Sequence, residues 1–460
     1  MLQKFKVHDM VLHTRIAIAC LLVLLTSLRL NAQTITWQRT YGDSNIDYGY
    51  SIVQTPDEGF IVVGEKNLRT FVMRITKYGD TLWTRTILGN GSTGVVVLSD
   101  HNYLITGWLP QDPIAKIDLN GNFHWIHFGE SGYLKASRDS GYFITRDLKI
   151  KKYNNDGLLE WYFDYSPLLN SMIVRDYETM PDNGILIMGE RADTLLSMNK
   201  FILRISREGR FISFSQFSSA TQFSKVAITN DTMIGIVGYK GTSISLAKYD
   251  TLCNLQWEVL LDTIQAGTNE IINSVIRCSD KGFAFTGWIR DSQFTFYVRA
   301  VRTDSNGIVM WRRNYGFGDH DEGNCIIQTR DSAFAIVGNR DNYNLGDIYI
   351  VKTDKNGYAD PPVGVSNNHH ATVSETAVTE IYPNPFNSQT NIRLSLQEKS
   401  VIALVIFDNS GRQVDYIDLG EIEEGNNVIA YIPSGFSSGI YFCKVVGRNF
   451  TNISKLVLLK

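Results

Sequence analysis

The stretch Tyr50–Gly64 reads YSIVQTPDEGFIVVG and contains the pattern that recurs along most of the chain. Tyr50–Thr55 alternates apolar and polar residues, which is typical of a half-buried strand. Phe60–Val63 is a continuous apolar run, typical of a strand covered on both faces. Pro56–Gly59 has the composition of a tight turn. The stretch therefore predicts two antiparallel strands joined by a hairpin.

This hairpin recurs seven times, about every 46 residues, a period typical of propellers and solenoids. Each copy has an aspartate in its turn: Asp57, Asp100, Asp139, Asp182, Asp231, Asp280 and Asp331. The third residue after each aspartate is aromatic or aliphatic: Phe60, Tyr103, Tyr142, Ile185, Ile234, Phe283 and Phe334. The seventh residue is glycine in every copy but the third, which has Arg146. These regularities predict a domain built from repeated units.

A second hairpin follows in each copy. In the first copy its turn is Lys77–Asp80 and its last strand carries Trp83. Four short strands per unit of this length predict one propeller blade per copy. The segments Asp118–Trp125 and Asp304–Trp311 resemble the tryptophan-docking motif of quinoprotein-like propellers. This resemblance implies the fold and not the cofactor, because nothing in the sequence marks a quinone site.

The two ends of the repeat region complement each other. The seventh copy runs from Gly357 into Asp360-Pro361-Pro362 without a tryptophan strand, whereas Ile35–Trp37 supplies such a strand before the first copy. We expect the two ends to pair, because closure removes exposed sheet edges. The predicted fold class is all-β: a seven-bladed β-propeller at residues 33–360, closed by the N-terminal strand, followed by a small immunoglobulin-like β-sandwich.

Residues 1–32 have the pattern of a secretory signal peptide, with the apolar run Ile16–Leu28 and a cleavage site after Ala32. The alternative is a membrane anchor, but the run is shorter than the ~20 residues of a spanning helix. No later segment is apolar enough to span a membrane, so we expect an exported, soluble chain. A net charge of -3 without a basic patch argues against nucleic acid as a partner. We expect mostly free thiols at the remaining cysteines: Cys253, Cys278, Cys325 and Cys443.

A polar linker is predicted at residues 361–380 and a second domain at residues 381–460. This domain begins with Ile381–Phe386 (IYPNPF), continues with Gly439–Phe442 (GIYF) and ends with Lys455–Lys460 (KLVLLK). Its short alternating strands and turns predict a β-sandwich. An immunoglobulin-like ligand-binding module is the alternative interpretation of the same pattern.

The order and spacing of these motifs resemble the type A C-terminal sorting domain of the type IX (Por) secretion system. The resemblance implies recognition by the secretion machinery at the outer membrane. It also implies removal of the domain and release of the chain, or its attachment to surface lipopolysaccharide. We therefore expect a secreted or surface-attached protein. The residues that match the sorting signal are Pro383, Asn384, Pro385, Gly411, Gly439, Tyr441 and Lys455.

Two similar acidic loops, Tyr41–Gly49 and Tyr315–Gly323, meet at the predicted point of ring closure. Loops above a rigid scaffold often carry binding residues. Clustered carboxylates suit a hard cation such as calcium, or sugar hydroxyls. The alternative is that Asp47 and Asp321 cap backbone amides. The candidate binding residues are Asp43, Asp47, Glu270, Asp319, Asp321 and Glu322.

Each copy also has a basic residue before its second turn, and we expect it to pair with an acidic turn residue between blades. These residues are Arg74, Lys116, Lys152, Arg204, Lys248, Arg302 and Lys352. The sequence has no nucleophile-elbow, zincin or P-loop motif.

The favoured function is therefore a non-catalytic, secreted or cell-surface protein that presents loops to a glycan or protein partner, with no cofactor unless calcium binds. Two alternatives stay open. One is a polysaccharide hydrolase or lyase, because paired acids are recognised by their separation in space. The other is a structural component of the cell surface.

Overall fold

The computed structural model describes residues 35–459 except 44, 88, 90, 108, 110–111, 130, 147, 168–171, 195–196, 219–221, 230–231, 264–268, 293, 317–319, 342–345, 361–376, 397–398, 409–412, 434 and 447–450. These residues contain 35 β-strands and no helix, which confirms the all-β class. The chain divides into two compact units, Met1–Ser366 and Asn367–Lys460.

The first unit begins with five separate four-stranded antiparallel sheets, which we call blades A to E. Blade A contains β2 (Asp47–Gln54), β3 (Phe60–Lys66), β4 (Arg69–Ile75) and β5 (Thr81–Ile87). Blade B contains β6 (Ser92–Val97), β7 (Tyr103–Gly107), β8 (Pro113–Ile117) and β9 (Phe123–Phe128). Blade C contains β10 (Tyr133–Ser137), β11 (Gly141–Arg146), β12 (Lys149–Asn154) and β13 (Leu159–Asp164). Blade D contains β14 (Met172–Thr179), β15 (Ile185–Thr194), β16 (Ser197–Ile205) and β17 (Phe211–Ser218). Blade E contains β18 (Gln222–Ile228), β19 (Ile234–Lys240), β20 (Ser243–Tyr249) and β21 (Leu255–Thr263).

Two further blades share one eight-stranded sheet. Blade F contains β22 (Asn269–Arg277), β23 (Phe283–Arg290), β24 (Phe296–Thr303) and β25 (Val309–Tyr315). Blade G contains β26 (His320–Gln328), β27 (Phe334–Asp341), β28 (Gly346–Lys352) and the N-terminal strand β1 (Trp37–Tyr41). A parallel bridge between Phe296 and His320 joins the two blades. Strand β1 lies antiparallel to β28, with Trp37 opposite Lys352 and Tyr41 opposite Ile348.

The first strand of each repeat is the innermost strand of its blade, and the inner strands of consecutive blades are neighbours. Strand β2 also contacts β26, β27 and β28 of blade G. The Gly49 amide donates a hydrogen bond to Asn339 Oδ1 at 2.9 Å, and Asn324 Nδ2 donates one to the Gly49 carbonyl at 2.9 Å. Asn273 Nδ2 makes the corresponding bond to the Gly323 carbonyl, at 3.0 Å, between blades F and G. Blades G and A are therefore joined by the same contacts as two consecutive blades.

An apolar core fills the space between each pair of neighbouring blades, including G and A. Tryptophan side chains reach across these boundaries, because the Trp161 indole N–H donates to the Arg207 carbonyl at 2.7 Å in the next blade. The Trp37 indole N–H donates to Lys77 of blade A in the same way, at 2.8 Å. Gly209 has a positive φ of 76° and its Cα faces the Trp161 ring, so this turn position favours glycine. This is the docking that the tryptophan motif implies.

The second unit is a β-sandwich, as the sequence predicts. One sheet contains β29 (Ala377–Tyr382), β30 (Thr390–Leu396) and β33 (Gly425–Tyr431). The other contains β31 (Ser400–Asp408), β32 (Gln413–Ile422), β34 (Gly439–Val446) and β35 (Thr451–Leu458). Buried side chains of both sheets, such as Ile392 and Leu404, share one core.

Candidate functional site

Each blade has two different ends, because its four strands are antiparallel. The tight turns after its first and third strands lie at one end, which we call the turn end. The connections between blades, and those from the second strand to the third, lie at the opposite end, the loop end. Asp319 lies outside the described residues. The other predicted binding residues all lie at the loop end: Asp43, Asp47, Glu270, Asp321 and Glu322.

Ion pairs between the predicted basic residues and the repeat aspartates occupy the turn ends. Their N–O distances are 2.6 Å for Arg74–Asp57, 2.7 Å for Lys116–Asp100, 2.9 Å for Lys152–Asp139, 3.1 Å for Arg204–Asp182 and 3.1 Å for Lys352–Asp331, and Arg302 pairs with Asp280. The expectation that these pairs link different blades is wrong. In these six blades the third strand runs back beside the first turn, so its basic residue meets the aspartate of its own blade; Asp231 of blade E lies outside the described residues.

These ion pairs stabilise the charged form of the carboxylates. Burial alone would raise the pKa of Asp331, but the Thr329 hydroxyl and the Lys352 ammonium outweigh it, and the pKa lies below its usual value. The pKa of Asp57 is lowered in the same way by Thr55 and Arg74. The recurrence of this arrangement from blade to blade indicates a structural role for the turn ends.

Asp47 lies at the start of β2 and is only 1% exposed. Its Oδ2 accepts a hydrogen bond from the Asp43 amide at 3.1 Å and lies 3.4 Å from Lys66 Nζ. The Asp43 carboxylate lies 2.9 Å from the same ammonium group. Asp47 thus caps the loop that precedes it, which is the structural role that the sequence left open.

A further carboxylate, Asp347 of β28, lies beside Asp47 at the boundary of blades G and A. Both carboxylates face the Cα of Gly42, and any side chain there would collide with Asp347. Burial raises the pKa of Asp47, with Lys66 opposing it. Burial and then repulsion from Asp47 raise the pKa of Asp347. We call Asp43, Asp47, Lys66 and Asp347 the acidic junction.

The boundary of blades F and G has the same framework with different chemistry. Asp321 holds the position of Asp47, is fully buried and lies against Gly316. Tyr297 of blade F holds the position of Asp347, and its pKa is raised by burial and by the charges of Asp291 and Asp321. Glu270 holds the position of Asp47 in blade F, is 4% exposed and lies 3.4 Å from Arg299 Nε. The three equivalent carboxylates therefore lie at successive blade boundaries rather than in one open cluster.

Three aromatic rings at the loop end of blades F and G form a contiguous group, which we call the aromatic patch. The centroids of Trp288 and Phe296 are 5.1 Å apart, and Phe296 stacks on His320 at 4.2 Å. His320 is exposed, whereas Trp288 and Phe296 are half-buried. None of the three residues is among the binding residues predicted from the sequence. A signal was available, because Trp288 directly follows the repeat glycine and stands outside the docking positions of the other described tryptophans.

Within the part of the chain that the structure describes, no three His, Cys, Asp or Glu side chains are arranged to hold a metal ion. Calcium binding at the acidic loops stays a prediction. The four described cysteines are free thiols, and burial raises the pKa of Cys278 to about 12.

In the second unit, Asn384 ties the IYPNPF segment to β35. Its Nδ2 donates to the Lys455 carbonyl at 2.7 Å, and its Oδ1 accepts from the Val457 amide at 2.8 Å. Tyr441 stacks on Phe436 with centroids 5.0 Å apart and donates its hydroxyl to the Ser437 carbonyl at 2.9 Å. Gly411 lies outside the described residues. The remaining predicted sorting residues occupy the segment before β30 and the strands β34 and β35: Pro383, Pro385, Gly439 and Lys455.

Residues 380–459 match the family described as the secretion system C-terminal sorting domain. The protein thus combines β-propeller repeats with a type IX sorting domain. This domain indicates export, to the cell surface or into the medium, and interaction with the secretion machinery. Among the described residues, no helix is long and apolar enough to cross a membrane.

Several solved structures, among them a β-propeller domain, are similar to this chain at low identity. A streptogramin B lyase structure is 13% identical over 69% of this chain and 98% of its own, with a TM-score of 0.48. Virginiamycin B lyase from Staphylococcus aureus is 14% identical over 69% and 99%, with a TM-score of 0.48. The WD40 β-propeller domain of Doa1 is 12% identical over 70% and 97%, also with a TM-score of 0.48. Similarity at this level says nothing about ligand or activity. A search of curated proteins gave no significant match.

Proposed function

We propose that the protein is a secreted or surface-attached binding protein that recognises a glycan at the loop ends of blades F, G and A. The proposal includes an N-terminal signal peptide at residues 1–32 and a ring of seven blades closed by β1. The ring serves as a rigid support, on which differences among loops determine what is bound.

The observation that supports this proposal most directly is the position of the aromatic patch beside buried polar groups. Phe296 and His320 directly precede Tyr297 and Asp321 in the chain, so rings and polar groups converge at one boundary. Aromatic rings provide a flat apolar surface for the C–H face of a sugar, and nearby polar groups bond its hydroxyls. At the acidic junction, the exposed Asp43 carboxylate and the half-buried Asp347 extend the polar surface toward blade A, whereas Asp47 is buried beneath them.

A glycan array probed with the full-length chain tests this function. Trp288→Ala should weaken binding of any glycan found by at least about tenfold, since aromatic anchors dominate small binding sites. Phe211→Ala is the matched control, because Phe211 is 50% exposed on the outer strand of blade D. An array without binding, or equal binding by Trp288→Ala, would contradict the proposal. Thermal unfolding of both variants separates lost binding from lost folding.

A polysaccharide hydrolase or lyase is the second candidate. Asp47 and Asp347 favour it, because both carboxylates face Gly42, and burial together with the charge of Asp47 raises the pKa of Asp347, as in paired acids that share a site. A panel of polysaccharides would test this candidate. Cleavage by the wild-type chain that is lost in the Asp47→Asn/Asp347→Asn double variant would support catalysis, whereas an inactive wild-type chain would argue against it. Stable co-purification with an outer-membrane complex would instead favour a structural role.

A further inference from the structure

The inner strands of blades A to G line a cavity of about 610 Å³, which is within the ~300–1,000 Å³ of small-molecule sites. Alternate residues of each strand face the cavity, so they form an upper tier near the loop ends and a lower tier near the turn ends. The upper tier is mostly polar and includes Ser51, Asp176, Lys225, Ser274 and Cys325.

The lower tier is apolar on one side and charged on the other. Val53, Val96, Ile276 and Ile327 come from blades A, B, F and G and form an aliphatic arc. The equivalent residues of blades C and D are Lys135 and Glu178, whose side chains pair at 2.6 Å. The cavity is therefore amphipathic.

Three of the charged residues that blades C and D contribute to the cavity have partners within the protein: Lys135, Arg175 and Asp176. Burial opposes the charge of Lys135, but Glu178 and Asp176 outweigh it and raise its pKa, so the ammonium stays protonated. Asp176 Oδ2 accepts a hydrogen bond from the Val226 amide at 2.9 Å. Arg175 lies 2.8 Å from the buried Glu190 carboxylate. These groups have little capacity left for an added ion.

Lys225 of blade E differs from these residues. Its side chain is half-buried and lines the cavity, and it makes no ion pair or hydrogen bond with any residue that the structure describes. A cation in a partly desolvated site is unfavourable unless an anion neutralises it. The neighbouring blade F adds the Ser274 hydroxyl and then the aliphatic arc, which begins with Ile276.

We propose that this cavity binds a small amphipathic carboxylate. The carboxylate head lies at Lys225 and accepts a hydrogen bond from Ser274, and the apolar body covers the arc from Ile276 to Val96. This site is separate from the aromatic patch, so the proposal is independent of glycan binding.

Calorimetric titration of the full-length chain with octanoate tests the inference. Octanoate should bind at one site, at least about tenfold more tightly than acetate, which lacks the body, or octanol, which lacks the charge. Lys225→Met should weaken octanoate binding at least about tenfold, because a charge-assisted hydrogen bond is lost, and Lys225→Arg should retain most of the affinity. Lys355→Met, at an exposed turn, is the control and should bind like the wild type.

Failure of octanoate to bind, or equal binding by Lys225→Met, would overturn the proposal. Acetate binding as tight as octanoate binding would overturn the amphipathic assignment. Alkylation of Cys325 gives a second readout, because this thiol lines the same cavity. Octanoate should slow its reaction with iodoacetamide, and an unchanged rate would count against the site.

Discussion

The turn ends and the loop ends of the blades are built from the same repeat but differ in how their charged groups are arranged. At the turn ends, an aspartate and a basic residue pair in blade after blade, and the pKa of residues such as Asp57 and Asp331 is lowered. At the loop ends, equivalent positions differ among blades, and burial raises the pKa of Asp47 and Asp347. The comparison indicates that features repeated in every blade hold the fold together. Departures from the repeat are where binding is to be sought.

The largest expected effect tests the repeated core beneath the turn ends. Phe283 is the third residue after its turn aspartate, is fully buried and packs edge-on against Trp257 of blade E. Phe283→Ala should lower the free energy of unfolding by about 3–5 kcal/mol, because it leaves a cavity between two blades. Denaturant titration measures this loss. Phe294→Ala, at a residue 69% exposed, is the control, with an expected change within about 0.5 kcal/mol.

A smaller effect is expected from breaking one ion pair at a turn end. Asp331→Asn leaves the Lys352 ammonium, only 4% exposed, without its charged partner. The free energy of unfolding should fall by about 1–3 kcal/mol. Asp43→Asn breaks a loop-end pair whose carboxylate is 46% exposed, and should cost less than about 1 kcal/mol. If the two variants lose equal stability in denaturant titrations, the structural difference between the ends is wrong.

The smallest expected effect is a difference in pH dependence between the two ends. The pKa of Asp331 is lowered in the folded state, so this carboxylate contributes to the stability of the fold above pH 3.8, the ordinary pKa. The contribution is lost as the pH falls through the pKa of the folded state. The pKa of Asp47 is raised in the folded state, so this residue contributes to the stability of the fold below pH 3.8. The contribution is lost as the pH rises through the pKa of the folded state. The stability of Asp47→Asn relative to the wild type should therefore improve between about pH 3 and pH 7. Asp331→Asn should show the opposite trend in the same series of unfolding curves.

Local pattern explains why so much of the fold is readable from the sequence. The turn aspartates, the buried residues such as Phe283 and the docking tryptophans recur within each repeat, so one copy explains the others. The residues of the acidic junction are harder to find. Asp47 and Asp347 lie 300 positions apart in the sequence and meet only because β1 and β2 contact blade G.

The aromatic patch shows the same difficulty on a shorter scale. His320 belongs to blade G and Trp288 to blade F, and only the bridge from Phe296 to His320 brings the rings together. Burial of a single polar residue is also difficult to predict from the sequence. Asp321 has the sequence context of an exposed loop residue, but its side chain is fully buried. The prediction that the turn-end ion pairs join different blades was wrong for a related reason. The order of the strands within a blade decides which aspartate lies nearest to each basic residue.

The pairing of β1 with β28 affects how the exported chain would respond to proteolysis. The edge of blade G is covered by Trp37–Tyr41, a segment close to the point where the leader is predicted to be cut. Processing after Ala32 spares this strand, whereas trimming by a protease beyond Tyr41 would strip it away. The exposed backbone of β28 would then be able to pair with strands of other molecules, and the exported chain would become prone to aggregation.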